Sequence, residues 1–160
     1  MGNLIQYPSR SFSRNCIETN SNLFKKAKAI IGDKPIITFK KFKENDGDIS
    51  FGAVEGHNDY EDKDIAVIGT PHLNELVYKL FALAMGIEVK NENMRYQEIK
   101  RNNCKFYFMT YKKKELRNIQ LWLIESELEQ AIGRARLLRN KCNVILFSNY
   151  PLKQAKFKYA

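Results

Sequence analysis

Three features of the sequence predict an α/β fold with a mainly parallel sheet covered by helices on both faces. Short apolar runs of strand length (Pro35–Phe39, Asp64–Gly69, Asn143–Ser148) recur along the chain. Amphipathic stretches with helical spacing lie between them. The run Asn143-Val-Ile-Leu-Phe-Ser148 is apolar without alternation, the pattern of a strand buried on both faces.

Taken in order, residues 1–20 are polar and read as an irregular lead-in to one domain of 160 residues. Ser21 caps a helix whose Leu23, Phe24, Ala27, Ile30 and Ile31 share a face, and Gly32 stops it. Pro35–Phe39 is a strand running into Lys40-Lys41-Phe42-Lys43, and Ile49–Val54 a second. Asp64–Gly69 follows as a strand. Thr70 then serves as N-cap and Pro71 as first helical residue of a helix carrying Leu73, Leu76, Val77, Leu80, Phe81 and Ala84, ended by Gly86. Met94–Lys100 and Cys104–Tyr111 flank Asn102-Asn103, which predicts a β-hairpin at about 94–111. A helix resumes after Lys114. Ser126-Glu-Leu-Glu129 is a capping box expected to restart it, with Leu128, Ala131, Ile132, Ala135 and Leu138 as its stripe and Trp122 in the core. Residues 21–150 form the expected domain body, and 151–160 a basic tail.

The formal net charge is +9, and it is uneven. Residues 94–160 hold fifteen basic and five acidic side chains, whereas residues 1–93 hold twelve and thirteen. Such a concentration suits a polyanionic partner, nucleic acid first, although a solvated lysine-rich surface produces the same count. Cys16, Cys104 and Cys142 lie far apart and only two histidines occur, which argues against a zinc site or a disulfide framework. No apolar run reaches the ~18 residues of a membrane span, and the N-terminus, with its early Pro8, Ser9 and Arg10, lacks the apolar core of a signal peptide. The expectation is a cytoplasmic protein with no membrane partner.

The chemistry concentrates in Glu129-Gln-Ala-Ile-Gly-Arg-Ala-Arg136. Gln130 and Arg134, four residues apart, share the side opposite the apolar stripe. Gly133, placed mid-helix at a cost of about 1 kcal/mol, suggests close approach to the backbone. An arginine held on a rigid helix presents a permanently charged fork suited to a phosphoryl group.

Gln130-Ala-Ile-Gly-Arg-Ala-Arg136 resembles motif VI, the arginine-finger motif of superfamily 2 helicases, found in their second RecA-like domain. Lys34–Phe42 (KPIITFKKF) resembles the motif IV strand, and Gly56-His57-Asn58 followed by DIAVIGTP resembles motif V. The resemblance covers about residues 20–150. It implies a RecA-like fold of the P-loop NTPase type, with Arg134 as the first arginine finger and Gln130 organising the nucleotide cleft. The usual second finger, three residues on, falls on Leu137, a departure that leaves Arg136, or Arg139, for the role. Gly56 and Asn58 would touch nucleotide ribose or nucleic-acid backbone. Thr38, Lys40 and Thr70 would face nucleic acid, with DNA favoured over RNA. No G-x-x-x-x-G-K-[S/T] loop and no D-E-x-[H/D] box occurs. The resemblance therefore implies the C-terminal half of an ATP-dependent helicase or translocase. ATP and Mg²⁺ would bind only together with a first RecA-like ATPase domain, in the same or another chain, and the chain alone would be inactive as an ATPase. Two alternatives stay open: a free-standing, non-enzymatic basic module using Lys105, Phe106, Tyr107, Phe108 and Tyr111 as a stacking platform, and a metal-dependent nuclease built on Glu98-Ile-Lys100 with Asp64.

Overall fold

In the computed structural model, residues 1–53, 56 and 58–159 are described. Six strands form one sheet in the order β3-β2-β4-β7-β1-β8, and every pairing in it is parallel. They are β1 (Asn3–Tyr7), β2 (Ile36–Thr38), β3 (Ile49–Ser50), β4 (Ile65–Ile68), β7 (Asn143–Phe147) and β8 (Lys156–Phe157). β5 (Met94–Arg101) and β6 (Cys104–Tyr111) make a separate antiparallel hairpin, as expected. Asn102 and Asn103 both take positive φ (51° and 63°), the two-residue turn that matches the strand twist.

Helices cover both faces. α1 (Arg14–Thr19) and α2 (Ser21–Ile31) press Ile17, Phe24, Ala27 and Ile31 against Ile36, Ala66, Ile68 and Phe147 on one side. On the other side α4 (Lys114–Gly133) and the hairpin cover Leu4, Ile37, Val67, Val144 and Leu146 with Leu121, Ile124, Leu128, Ala131, Ile99 and Phe108. Alternate residues of β2, β4 and β7 serve opposite cores, which is why these strands are largely apolar.

Several expectations need correction. Residues 1–20 are not an irregular lead-in: β1 lies between β7 and β8, and Ser13 caps α1. Leu4 and Ile5 alone are too few apolar positions to specify a strand, and pairing on both sides orders them. The basic tail likewise supplies the edge strand β8, with Leu152 buried before it. Ser126 does not restart a helix. α4 is continuous because its buried face, from Leu116 through Ile132, packs without a break. It ends at Gly133, so Leu138 leaves the stripe and is 84% exposed.

The helix after β4 starts later than Thr70-Pro71 predicts. Asn74 caps α3 (Glu75–Ala84), its Oδ1 accepting from Leu76 N at 2.9 Å. Thr70 is drawn instead into buried hydrogen bonds. α3 packs on the first half of α4 through Tyr78 and Ala82, not on the sheet, so Leu76, Leu80 and Phe81 face outward, as does Trp122. No helix is long and apolar enough to cross a membrane among the described residues.

Candidate functional site

Because all six strands run parallel, the residues that follow them gather at one edge of the sheet and those that precede them at the other. The expected site residues divide between these two edges.

Thr38 and Thr70 lie at the carboxyl edge, and both are buried. Thr38 Oγ1 donates to Ile68 O at 2.8 Å. Thr70 Oγ1 meets Ser148 Oγ at 2.7 Å and donates to Asn149 Oδ1 at 2.9 Å. Gln6 completes the network, its Nε2 donating to Ser148 O (2.8 Å) and Tyr150 O (2.7 Å) and its Oε1 accepting from Leu152 N (3.1 Å). Neither threonine hydroxyl is presented to a nucleic acid. A buried polar group must be paired, and here the pairing is internal. Gly69, at φ 142°, belongs to the same edge. A Cβ there would lie 2.8 Å from the rings of Phe39 and Phe51. Lys40, by contrast, is exposed on the short 3₁₀ turn Lys40–Phe42.

Beside this edge opens a cleft of about 600 Å³ between α1 and the hairpin, lined by Ser13, Arg14, Cys16, His72, Tyr96 and Met109 among others. His72 stacks on Phe108 (centroids 4.9 Å, 25°). Burial pushes its pKa down to about 4, so the imidazole is neutral near pH 7.

At the amino edge stand the residues of the arginine segment. Gly133 is the last residue of α4, not a mid-helix one, and a Cβ on it would meet nothing within 4 Å. Its carbonyl accepts from Arg136 N at 3.1 Å, so the turn closes on the helix end. Arg134 is the helix C-cap and is part-exposed. Arg136 follows with φ 51°, a left-handed conformation that a side chain other than glycine, asparagine or aspartate rarely takes. Its Nη1 reaches Glu61 Oε1 at 2.8 Å. Arg136 and Arg139 line an open cleft of about 630 Å³ with Glu129, Ile132, Gly133 and Gln154. Asn140 Nδ2 is buried beside this turn without a partner, an unused donor. Gln130 is exposed on the last turn of α4.

The Arg136–Glu61 pair joins the arginine turn to the loop before β4. In that loop Asn58 O accepts from Glu61 N at 3.1 Å and Gly56 has φ 79°. The segments resembling motifs V and VI are therefore neighbours, although His57 between Gly56 and Asn58 lies outside the described residues, as do Val54, Glu55 and Ala160. Glu61 carried no signal in the sequence. It is one of four acids among the six residues Asp59–Asp64, and only its contact singles it out.

The nuclease alternative lacks its geometry. Asp64 Oδ1 accepts from Asn143 N at 2.7 Å and so fastens β7 to β4, while Glu98 lies on the separate hairpin sheet. No group of three His, Cys, Asp or Glu could hold a metal ion among the described residues.

Comparison with known proteins finds no matching family model and no significant match to a curated protein or a solved structure.

Proposed function

We propose that this chain is the second RecA-like half of an ATP-dependent nucleic-acid helicase or translocase, supplying arginines to a nucleotide held by a first RecA-like domain. The observation that carries the reading is the conformation of the arginine turn. Residues held in sparsely populated backbone conformations persist where the surroundings over-determine them, and they concentrate at functional sites. Arg136 holds such a conformation at the mouth of an open cleft, with Arg134 two residues earlier on a rigid helix end.

The chain's own residues fit only the phosphate-neutralising part of a nucleotide site. They offer guanidinium forks and no glycine-rich phosphate loop, and no carboxylate set for Mg²⁺ among the described residues. Bound ATP would supply the phosphoryl chemistry. Arg134 would neutralise charge on the transferred group, Gln130 would orient it, and Arg136 would join after releasing Glu61.

The test is ATP turnover in the protein reunited with its first domain. Arg134→Ala is expected to lower turnover by roughly 10³-fold, and Arg134→Lys to restore little, because a point charge cannot replace a bidentate fork. Arg136→Ala is expected to lower turnover more than Arg139→Ala. Turnover per folded molecule that survives Arg134→Ala would make the arginine structural and end the helicase reading. ATPase activity from the 160 residues alone, abolished by the same change, would end the half-domain reading.

A further inference from the structure

The hairpin has two unlike faces. Its inner face, with Ile99 and Phe108, is buried against α4. A polar clamp fixes that attachment. Arg101 Nη2 and Nε donate to Glu125 Oε2 at 3.0 and 3.2 Å, Asn102 Nδ2 donates to Glu125 Oε1 (3.2 Å) and to Pro151 O (2.9 Å), and Tyr150 Oη donates to Glu125 Oε2 at 2.6 Å. Burial works against the Glu125 carboxylate, but these donors outweigh it and hold its pKa low. The hairpin is thus a rigid element, presented in a fixed orientation.

Its outer face is aromatic and basic. The register sets Tyr96 opposite Met109, Glu98 opposite Tyr107, and Lys100 opposite Lys105. Tyr96 and Tyr107 therefore meet on the diagonal and stack, with ring centroids 5.8 Å apart and planes 25° from parallel. They are 61% and 56% exposed, and Met109 is 42% exposed. Two large rings kept in water gain the fold little from burial. Lys100 and Lys105 add a cost, since like charges directly opposite each other weaken a strand pair. Neither forms an ion pair among the described residues, and the acid on the face, Glu98, forms none either.

We propose that this outer face is a stacking platform for single-stranded nucleic acid. Bases continue the Tyr96–Tyr107 stack, and Lys100 and Lys105 take the backbone phosphates. An aromatic pair flanked by unpaired lysines is the arrangement that binds single strands without reading their sequence, since every base has a π-face. A duplex keeps its bases stacked inside and can use only the lysines. Glu98, between the tyrosines and lysines, opposes the phosphates and moderates the affinity. Tyr96 and Met109 also line the cleft beside α1, so a bound strand leads toward Arg14. The platform needs no nucleotide and does not depend on the arginine turn.

The experiment is fluorescence anisotropy of the 160-residue chain with labelled dT₁₂, U₁₂ and a 12-base-pair DNA duplex, without ATP. Both single strands are expected to bind more tightly than the duplex. The double change Tyr96→Ala/Tyr107→Ala is expected to weaken single-strand binding at least tenfold, while Tyr96→Phe/Tyr107→Phe, which keeps both rings, stays within about twofold. Lys100→Ala/Lys105→Ala should flatten the slope of log affinity against log salt by about 1.4, two contacts at ~0.7 each. Glu98→Gln should tighten binding. Circular dichroism of each variant confirms folding. Duplex bound as tightly as single strands, a double alanine variant that is folded and binds unchanged, or no binding of either oligomer at low salt overturns the platform. None of these results bears on whether Arg134 acts in ATP turnover.

Discussion

At the carboxyl edge of the parallel sheet, Gln6, Thr38, Thr70 and Ser148 spend their polar atoms on one another and on the main chain, all of them buried. At the amino edge, Arg136 and Arg139 line an open cleft beside the helix end at Arg134, and Arg136 is held by an exposed ion pair to Glu61. Ligands of open parallel sheets usually collect at the carboxyl edge. Here that edge is partly closed by its own hydrogen bonds, and the arginine segment lies at the other. The same residue types can therefore mean opposite things. A threonine after a strand is structural here, and an arginine after a helix is available.

This contrast can be broken or sharpened by measurement. The largest stability loss is expected from Gln6→Ala, which leaves two carbonyls and one N–H buried without partners. At 1–3 kcal/mol for an unsatisfied group, urea unfolding should show a loss of about 3 kcal/mol or more. A loss below about 1 kcal/mol would mean that water replaces the side chain and the edge is open after all.

Next comes pH. His72 has a folded pKa of about 4 against 6.5 for the free side chain, so the unfolded chain binds the extra proton first as pH falls. Its contribution to stability is whole above pH 6.5, declines between 6.5 and 4, and is flat below 4, with a total of up to about 3 kcal/mol. His72→Phe, which keeps the stacking on Phe108, should remove that part of the pH dependence. An unchanged pH profile in this variant would assign the dependence to carboxylates elsewhere.

Thr70→Val removes the hydroxyl shared with Ser148 and Asn149 and should cost about 1–2 kcal/mol. The smallest effects belong to the amino edge. Arg134→Ala should stay within roughly 0.5 kcal/mol, and Arg136→Ala within about 1 kcal/mol, since exposed pairs contribute little. Arg136→Gly should match or slightly exceed the natural chain in thermal stability, because glycine accepts φ 51° without strain. If the arginine variants unfold the chain and Thr70→Val does not, the assignment of roles to the two edges is reversed.

Much of the fold was legible in the sequence. β2, β4 and β7 are apolar runs with no alternation because both of their faces are covered, and the hairpin followed from alternation around Asn102-Asn103. What escaped was decided by partners distant in the chain. β1 is a strand because β7 and β8 flank it, not because Asn3–Tyr7 insists on it. Thr70 has the chemistry of a helix cap, but Ser148 and Asn149, nearly eighty residues away, claim its hydroxyl first. The apolar stripe of α3 predicted core, yet nothing in the stripe says which side its neighbour α4 will take. In the candidate site, Arg136 meets Glu61, seventy-five residues away, a contact that no local pattern announces. Burial of Thr38 and Thr70 could not be read from their neighbours in sequence. The Tyr96–Tyr107 pair could have been found by counting in twos along both strands of the hairpin, which places them diagonally on one face.

The pairing of Asn3 with Asn143 spans 140 residues, and it lies between the middle strands of the sheet and its edge. β1 also supplies the partner on which β8 rests. Loop closure of that length is entropically slow to achieve, and contacts of this kind lower folding rates. During synthesis, the first strand waits without a neighbour until residues 143–147 have left the ribosome. Leu4 and Ile5 are exposed until then. A pause in translation before β7 would therefore lengthen the interval in which β1 lacks its partner and is open to misassociation.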